Sequence, residues 1–252
     1  MVNIAQAWAE QYNTRHAEVS VQVLGGGSGV GIASLIEGNC ELANTSRKMK
    51  DQEIEKAKAR HGLEPVEHIV GYDALGVYVH PSNPRDTISM EELAEIFGAH
   101  GTVTRWSQLG VGGMPRDQII RVSRQNSSGT YAFFREVVLG KQDFKLGSID
   151  ANGSKDVVAL ISRTPGAIGY SGMGYSTPGV KMLNVSRRPG ERGIAPTMAN
   201  AQNGSYPITR PLQIYTLGEP QGEVKKYLDW IKSPAGQSVV LELGYVPAGG
   251  PR

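Results

Sequence analysis

The sequence predicts an α/β fold with mostly parallel sheets, in which strands end on polar turns that open helices. Two observations carry this. Short β-branched apolar runs alternate along the chain with stretches of helical periodicity, and one junction recurs, an apolar strand feeding a small polar turn and then a helix. In such folds ligands gather at the strand ends.

The most informative junction is SRQNSSGTYAFF, Ser123 to Phe134. The preceding QIIRVS has the look of a buried strand, and YAFFREVVLG places apolar residues at helical spacing. Ser127 to Thr130 therefore caps a helix. Unpaired N–H groups there, the positive end of the helix dipole and the hydroxyls of Ser128 and Thr130 make a seat for an anion. Arg124 stands close enough to add a planar, charged fork of donors. An ordinary capped helix with a solvated arginine fits the same residues.

Val19 to Leu24, VSVQVL, reads as a strand, and GGGSGVG follows it into the helix GIASLIEG. Glycines let backbone N–H groups face a ligand, and Ser28 adds a hydroxyl; a flexible connection is the plain alternative. No Lys-Ser or Lys-Thr pair closes the loop as a Walker motif requires, and Val30 stands where a nucleophile elbow needs glycine. The third junction is the turn Thr45, Ser46, Arg47 between the short strand ELANT and a charged helix ending near Gly62. Alone, it is also a solvated turn with an exposed arginine.

The remaining elements follow in order. Val2 to Tyr12 is a helix with Ile4, Ala5, Trp8, Ala9 and Tyr12 on one face. VEHIVGYDALGVYVH reads as two consecutive strands broken at Gly71 to Asp73, and PSNPRD ends that sheet. A second unit then opens with the capped helix ISMEELAEIFGAHG and the turn TRWSQLG, with Trp106 packing inward. It continues through the Ile119 strand, the Ser127 turn and helix, a helix–turn–strand over NGSKDVVALISRTPGAIGY, the strand KMLNVS and a weak helix in RGIAPTMANAQNG. YPITRPLQIYTL returns to strand character, its prolines favouring an edge or crossing segment. The helices EVKKYLDWIKS and AGQSVVLELG, the latter opened by Pro234, close the chain.

Composition excludes several classes. The 252 residues are 39% hydrophobic and 20% charged, ordinary for a globular chain. A net charge of +2, with basic residues scattered, argues against a nucleic-acid surface, so any anion site is local. The single cysteine, Cys40, excludes an internal disulfide framework and reads as a small core residue rather than a nucleophile. No apolar run reaches membrane-spanning length, and the chain opens on an amphipathic helix rather than an export leader.

Taken together, GGGSGVG after a strand, NTSR, DALGVYVHPSN, TRWSQLG, RQNSSGT followed by two Phe, PITRPLQIYT and DWIKSPAGQSVVLELGYVP resemble the phosphate-binding periplasmic proteins of bacterial ABC transporters over nearly the whole chain. The resemblance implies a two-lobed type II periplasmic-binding-protein (Venus-flytrap) fold joined by crossing strands. Residues 1–83 plus 206–252 would form the first lobe and 84–205 the second, with the anion in the cleft. It implies oxyanion contacts from Ser28, Ser46, Arg47, Arg124, Ser128, Gly129 and Thr130, with no cofactor, metal or catalytic residue. The implied partners are inorganic phosphate and a membrane permease, outside the cytoplasmic membrane.

Two departures stand out. The better-studied members of the family carry an aspartate that accepts the proton of hydrogen phosphate where this chain has Arg47, and many carry an acidic residue where it has Asn126. An all-donor site also suits tungstate, molybdate or sulfate. The family's first central strand, with its hydroxyl-bearing turn, would lie before Met1, so either the natural chain starts upstream or the first lobe lacks that strand. Its loss would leave open sheet edges that invite a second chain.

The rival classes are a phosphoesterase and a signalling or interaction protein reusing the fold. Against the enzyme, the five histidines show no metal-ligand spacing, and no Ser or Cys has an obvious base partner.

Overall fold

The computed structural model describes residues 1–249, and most of its elements fall where the sequence predicts them. The first are helix α1 (Val2–Arg15), α2 (Ser28–Glu37), strand β1 (Ala43–Thr45), α3 (Asp51–His61) and β2 (Pro65–Val79). Next come β3 (Thr87–Ser89), α4 (Met90–Phe97), a 3-10 turn at Trp106–Leu109, β4 (Ile120–Arg124), α5 (Gly129–Val137), β5 (Ile149–Ala151) and α6 (Ser154–Ile161). The last are β6 (Ala167–Gly172), β7 (Lys181–Ser186), α7 (Met198–Gln202), β8 (Thr209–Leu217), α8 (Gly222–Lys232), α9 (Pro234–Glu242) and β9 (Val246–Pro247).

The chain divides into two compact units, one of residues 1–72, 127–129 and 210–249, the other of 73–126 and 130–209. The changeovers fall between Tyr72 and Asp73 and between Thr209 and Arg210, inside β2 and β8, not at Asn83 and Tyr206. β2 explains the first. It is one continuous strand where the sequence suggests two, because Gly71 and Tyr72 pair with β9 while Leu75 to Val79 pair with β6, with no loss of extended geometry between. The strand changes partners rather than breaking.

In the first unit β1 and β9 lie antiparallel to β8 and β2. In the second, β4 is parallel to β5 and β6, β3 is parallel to β7, and β2 is antiparallel to β6 and β7. The expectation of mostly parallel sheets thus holds for the centre of the second unit alone. Val19–Leu24, which reads as a strand, forms no ladder among the described residues. Val19 and Val21 still pack on the core, and the Asn13 amide both accepts from the Val21 N–H (2.8 Å) and donates to its carbonyl (3.0 Å). A side chain stands in for a neighbouring strand.

The helical faces follow their periodicity. Ile4, Ala5, Trp8, Ala9 and Tyr12 of α1 are all buried, with Ile4, Trp8 and Tyr12 in one core cluster with Leu228, Ile231, Val239 and Tyr245 among others. Trp8 is fully enclosed and donates from Nε1 to the Gly236 carbonyl at 2.8 Å. In the second unit Trp106 is fully buried and bonds the Gly166 carbonyl, as its turn required.

Trp8→Ala should therefore destabilise the protein by about 3–5 kcal/mol in urea denaturation. Trp8→Phe, which keeps most of the volume and loses the hydrogen bond, should cost about 1–3 kcal/mol.

Candidate anion-binding site

The glycine loop is shaped by what lies against it. Gly26 and Gly27 have φ of 129° and 92°, a region that favours glycine, and a Cβ on Gly27 would approach the Ser127 carbonyl to 3.0 Å. That carbonyl accepts the Gly29 N–H at 2.9 Å, and the Ser127 hydroxyl donates to the Gly26 carbonyl at 3.3 Å. The loop before α2 and the segment before α5 are thereby seated on each other.

Two buried hydroxyls meet there. Ser28 opens α2 and Ser46 follows β1; Ser28 Oγ accepts the Ser46 N–H at 3.0 Å and lies 3.5 Å from Ser46 Oγ. Ser28 Oγ accepts from the backbone, and either hydroxyl of the pair can donate to the other, so the pair keeps at least one proton for a ligand. Gly129, the first residue of α5, fits directly against both: a Cβ there would overlap Ser28 Oγ and stand 2.5 Å from Ser46 Oγ. Ser128 and Thr130, on either side, are buried. Ser28, Ser46 and Gly129, singled out in the sequence as parts of three separate turns, form one cluster.

Arg124 ends β4 and is buried. Its guanidinium donates to the Ala151 carbonyl (Nε, 3.3 Å), the Asn152 carbonyl (Nη2, 3.1 Å) and Ser154 Oγ (Nη1, 2.9 Å). These three oxygens are neutral, and the bonds to them orient the fork. The strand end is fastened by Ser123 Oγ, 2.8 Å from Tyr170 Oη, and by the Tyr170 ring, stacked on Phe134 of α5 at 3.9 Å. Burial pushes the Tyr170 phenol well up, so it stays protonated.

Arg47 behaves differently. The sequence places it beside the donors, but its guanidinium turns to Glu53 in a two-bond fork (2.8 and 2.7 Å) and to the Lys48 carbonyl (2.8 Å). Burial works to raise the Glu53 carboxyl, but the Arg47 bonds, the Lys50 N–H (2.8 Å) and the nearby positive charges outweigh it and hold its pKa below the ordinary value. On the other side of the turn Thr45 Oγ1 reaches Gln213, and the Met49 N–H donates to Tyr215 Oη, which donates to Glu67. The turn around Ser46 is held by two carboxylates, neither predicted from sequence. Glu53 was legible in principle, since it sits at the third position of α3 with its carboxylate on the Lys50 N–H.

Cys40 is half-buried and burial pushes its thiol pKa up, which disfavours a thiolate nucleophile. Among the described residues no group of three or more His, Cys, Asp or Glu could hold a metal ion, and no helix is long and apolar enough to cross a membrane.

Known proteins resemble this chain over most of its length. A family model described as "PBP superfamily domain" matches residues 1–235. The phosphate-binding protein PstS of Pseudomonas aeruginosa is 33% identical over 98% of this chain and 80% of its own, and PstS of Bacillus subtilis is 34% identical over 98% and 77%. The chain belongs to the PBP superfamily, in the PstS family. Among solved structures, a putative phosphate ABC transporter substrate-binding protein from Clostridium perfringens, with bound phosphate, aligns at a TM-score of 0.85 and 26% identity, covering 98% of this chain and 95% of that one. An ABC-type phosphate transport receptor from Vibrio cholerae aligns at 0.75 and 26%, covering 97% and 95%. The type II periplasmic-binding-protein fold expected from the sequence is thus the fold of this PstS-family chain.

Two outcomes are expected of the site's scaffold. Gly129→Ala should overpack the Ser28–Ser46 space and cost about 1–3 kcal/mol in urea denaturation. Glu53 has a depressed folded pKa, so its contribution is present above the unfolded glutamate value and is lost as pH falls through the folded one. The stability gap between wild type and Glu53→Gln should be open at neutral pH and close in urea melts carried below the ordinary glutamate range.

Proposed function

We propose that the protein binds inorganic phosphate through Ser28, Ser46, Arg124, Ser128, Gly129 and Thr130 and delivers it to a membrane ABC permease. The observation that carries this reading is the buried hydroxyl pair of Ser28 and Ser46 against Gly129, at the start of two helices. A buried polar cluster is stable where its donors meet an acceptor, and a tetrahedral oxyanion offers lone pairs in several directions. The start of α5 supplies N–H groups that have no partner within the helix, together with the positive end of its dipole. Arg124, fixed in orientation by neutral oxygens, supplies the formal charge.

The relatives are named phosphate-binding proteins, and the Clostridium perfringens structure contains phosphate, which supports phosphate as the ligand and binding without catalysis. The same names support a transport role and, with it, a location outside the cytoplasmic membrane, periplasmic or at the cell surface. Phosphate held at Ser28 and Ser46 needs no cofactor and no bond-making group.

Titration calorimetry in phosphate-free buffer tests the reading. Phosphate should bind, and Arg124→Ala should weaken it by about 3–5 kcal/mol, the scale for removing one partner of a buried charge pair. Preference for sulfate, molybdate or tungstate would move the ligand within the oxyanion class. Absence of binding by all four would refute the proposal, and turnover of a phosphate ester would point to the enzyme class instead.

A further inference from the structure

We propose that Arg47 and Glu53 form a positioning latch for Ser46, so that Arg47 acts on the bound anion through the placement of its neighbour and not through its own charge. The inference rests on the reading of Ser28 and Ser46 as anion donors.

Arg47 follows Ser46 directly, and both its terminal nitrogens are committed to Glu53. Glu53 Oε2 also accepts the Lys50 N–H, and Arg47 Nη1 also donates to the Lys48 carbonyl. Four bonds therefore close residues 47–53 into a ring of side chain and backbone at the start of α3. The pair is largely removed from water, with 12% and 21% of the two side chains exposed, so solvent does not compete strongly for its geometry. Thr45, on the other side of Ser46, is fully buried and bonded to Gln213. Ser46 is thus held between two anchored neighbours, its own N–H on Ser28 Oγ. A shift of the turn by a fraction of an ångström would spoil that bond and the 3.5 Å hydroxyl spacing, and with them two donors to one anion. The forked carboxylate cancels the charge of Arg47 at close range, which leaves little field for the anion to feel.

The two roles for Arg47 predict opposite signs. Were Arg47 an anion ligand, Glu53→Gln would free a guanidinium and tighten phosphate binding. As half of a latch, its release should weaken binding by about tenfold, equivalent to about 1.4 kcal/mol. Calorimetry of phosphate binding to Glu53→Gln, Arg47→Gln and the double variant should give three similar losses, because one unit is broken in each. In a Ser46→Ala background, Glu53→Gln should cost less affinity than it does in the wild type, because only the backbone N–H on Ser28 Oγ is left to disturb, while still lowering stability in urea. Urea melts at the calorimetry temperature confirm that each variant is folded when titrated. Tighter binding in Glu53→Gln, unchanged affinity with reduced stability, or losses that multiply with Ser46→Ala would overturn the latch while leaving wild-type phosphate binding intact. No phosphate binding by the wild type would overturn both the latch and the site reading.

Discussion

The space between Gly129 and the hydroxyls of Ser28 and Ser46 is the constraint on which the rest of the site depends. It admits no methyl group, and it brings together the starts of α2 and α5 and the end of β1, three places far apart in sequence. Each neighbouring feature serves that approach. Gly26 and Gly27 let the loop take backbone angles other residues avoid, and the Ser127 carbonyl receives the Gly29 N–H. The carboxylates of Glu53 and Glu67 work from farther out, through Arg47 and Tyr215, to hold the Ser46 turn.

Arg47 and Arg124 show how partner chemistry, not residue type, decides a role. Both sit where a strand gives way to a turn, and both read from sequence as anion donors. Arg124 donates to two carbonyls and a hydroxyl, which aim the guanidinium. Arg47 rests on a carboxylate that matches its fork and consumes its charge. The same side chain is proposed as an anion donor in one setting and as a brace in the other.

Much of this was legible because it depends on local pattern. The face of α1, the capped start of α4 and the glycine-bounded helices follow from periodicity and from residues that terminate helices. The strand, turn and helix junctions stood out for the same reason, since glycine, serine and threonine after an apolar run carry a specific backbone meaning. What escaped was decided by partners distant in sequence. The unbroken course of β2 depends on β9 and β6, one near the end of the chain and one in its middle. Val19–Leu24 alternates like a strand, yet its closest backbone partner is the Asn13 amide. The turn of Arg47 toward Glu53 could be drawn from a helix-start pattern only if the competing demand of an anion were set aside.

A crystal structure of the protein grown with phosphate tests the central claim most directly. Density for one tetrahedral anion within hydrogen-bonding distance of Ser28 Oγ, Ser46 Oγ, the α5 start at Gly129 and the Arg124 guanidinium, with Arg47 still forked on Glu53, is the result expected. An anion held by Arg47, or one lodged away from Ser28 and Ser46, would contradict it.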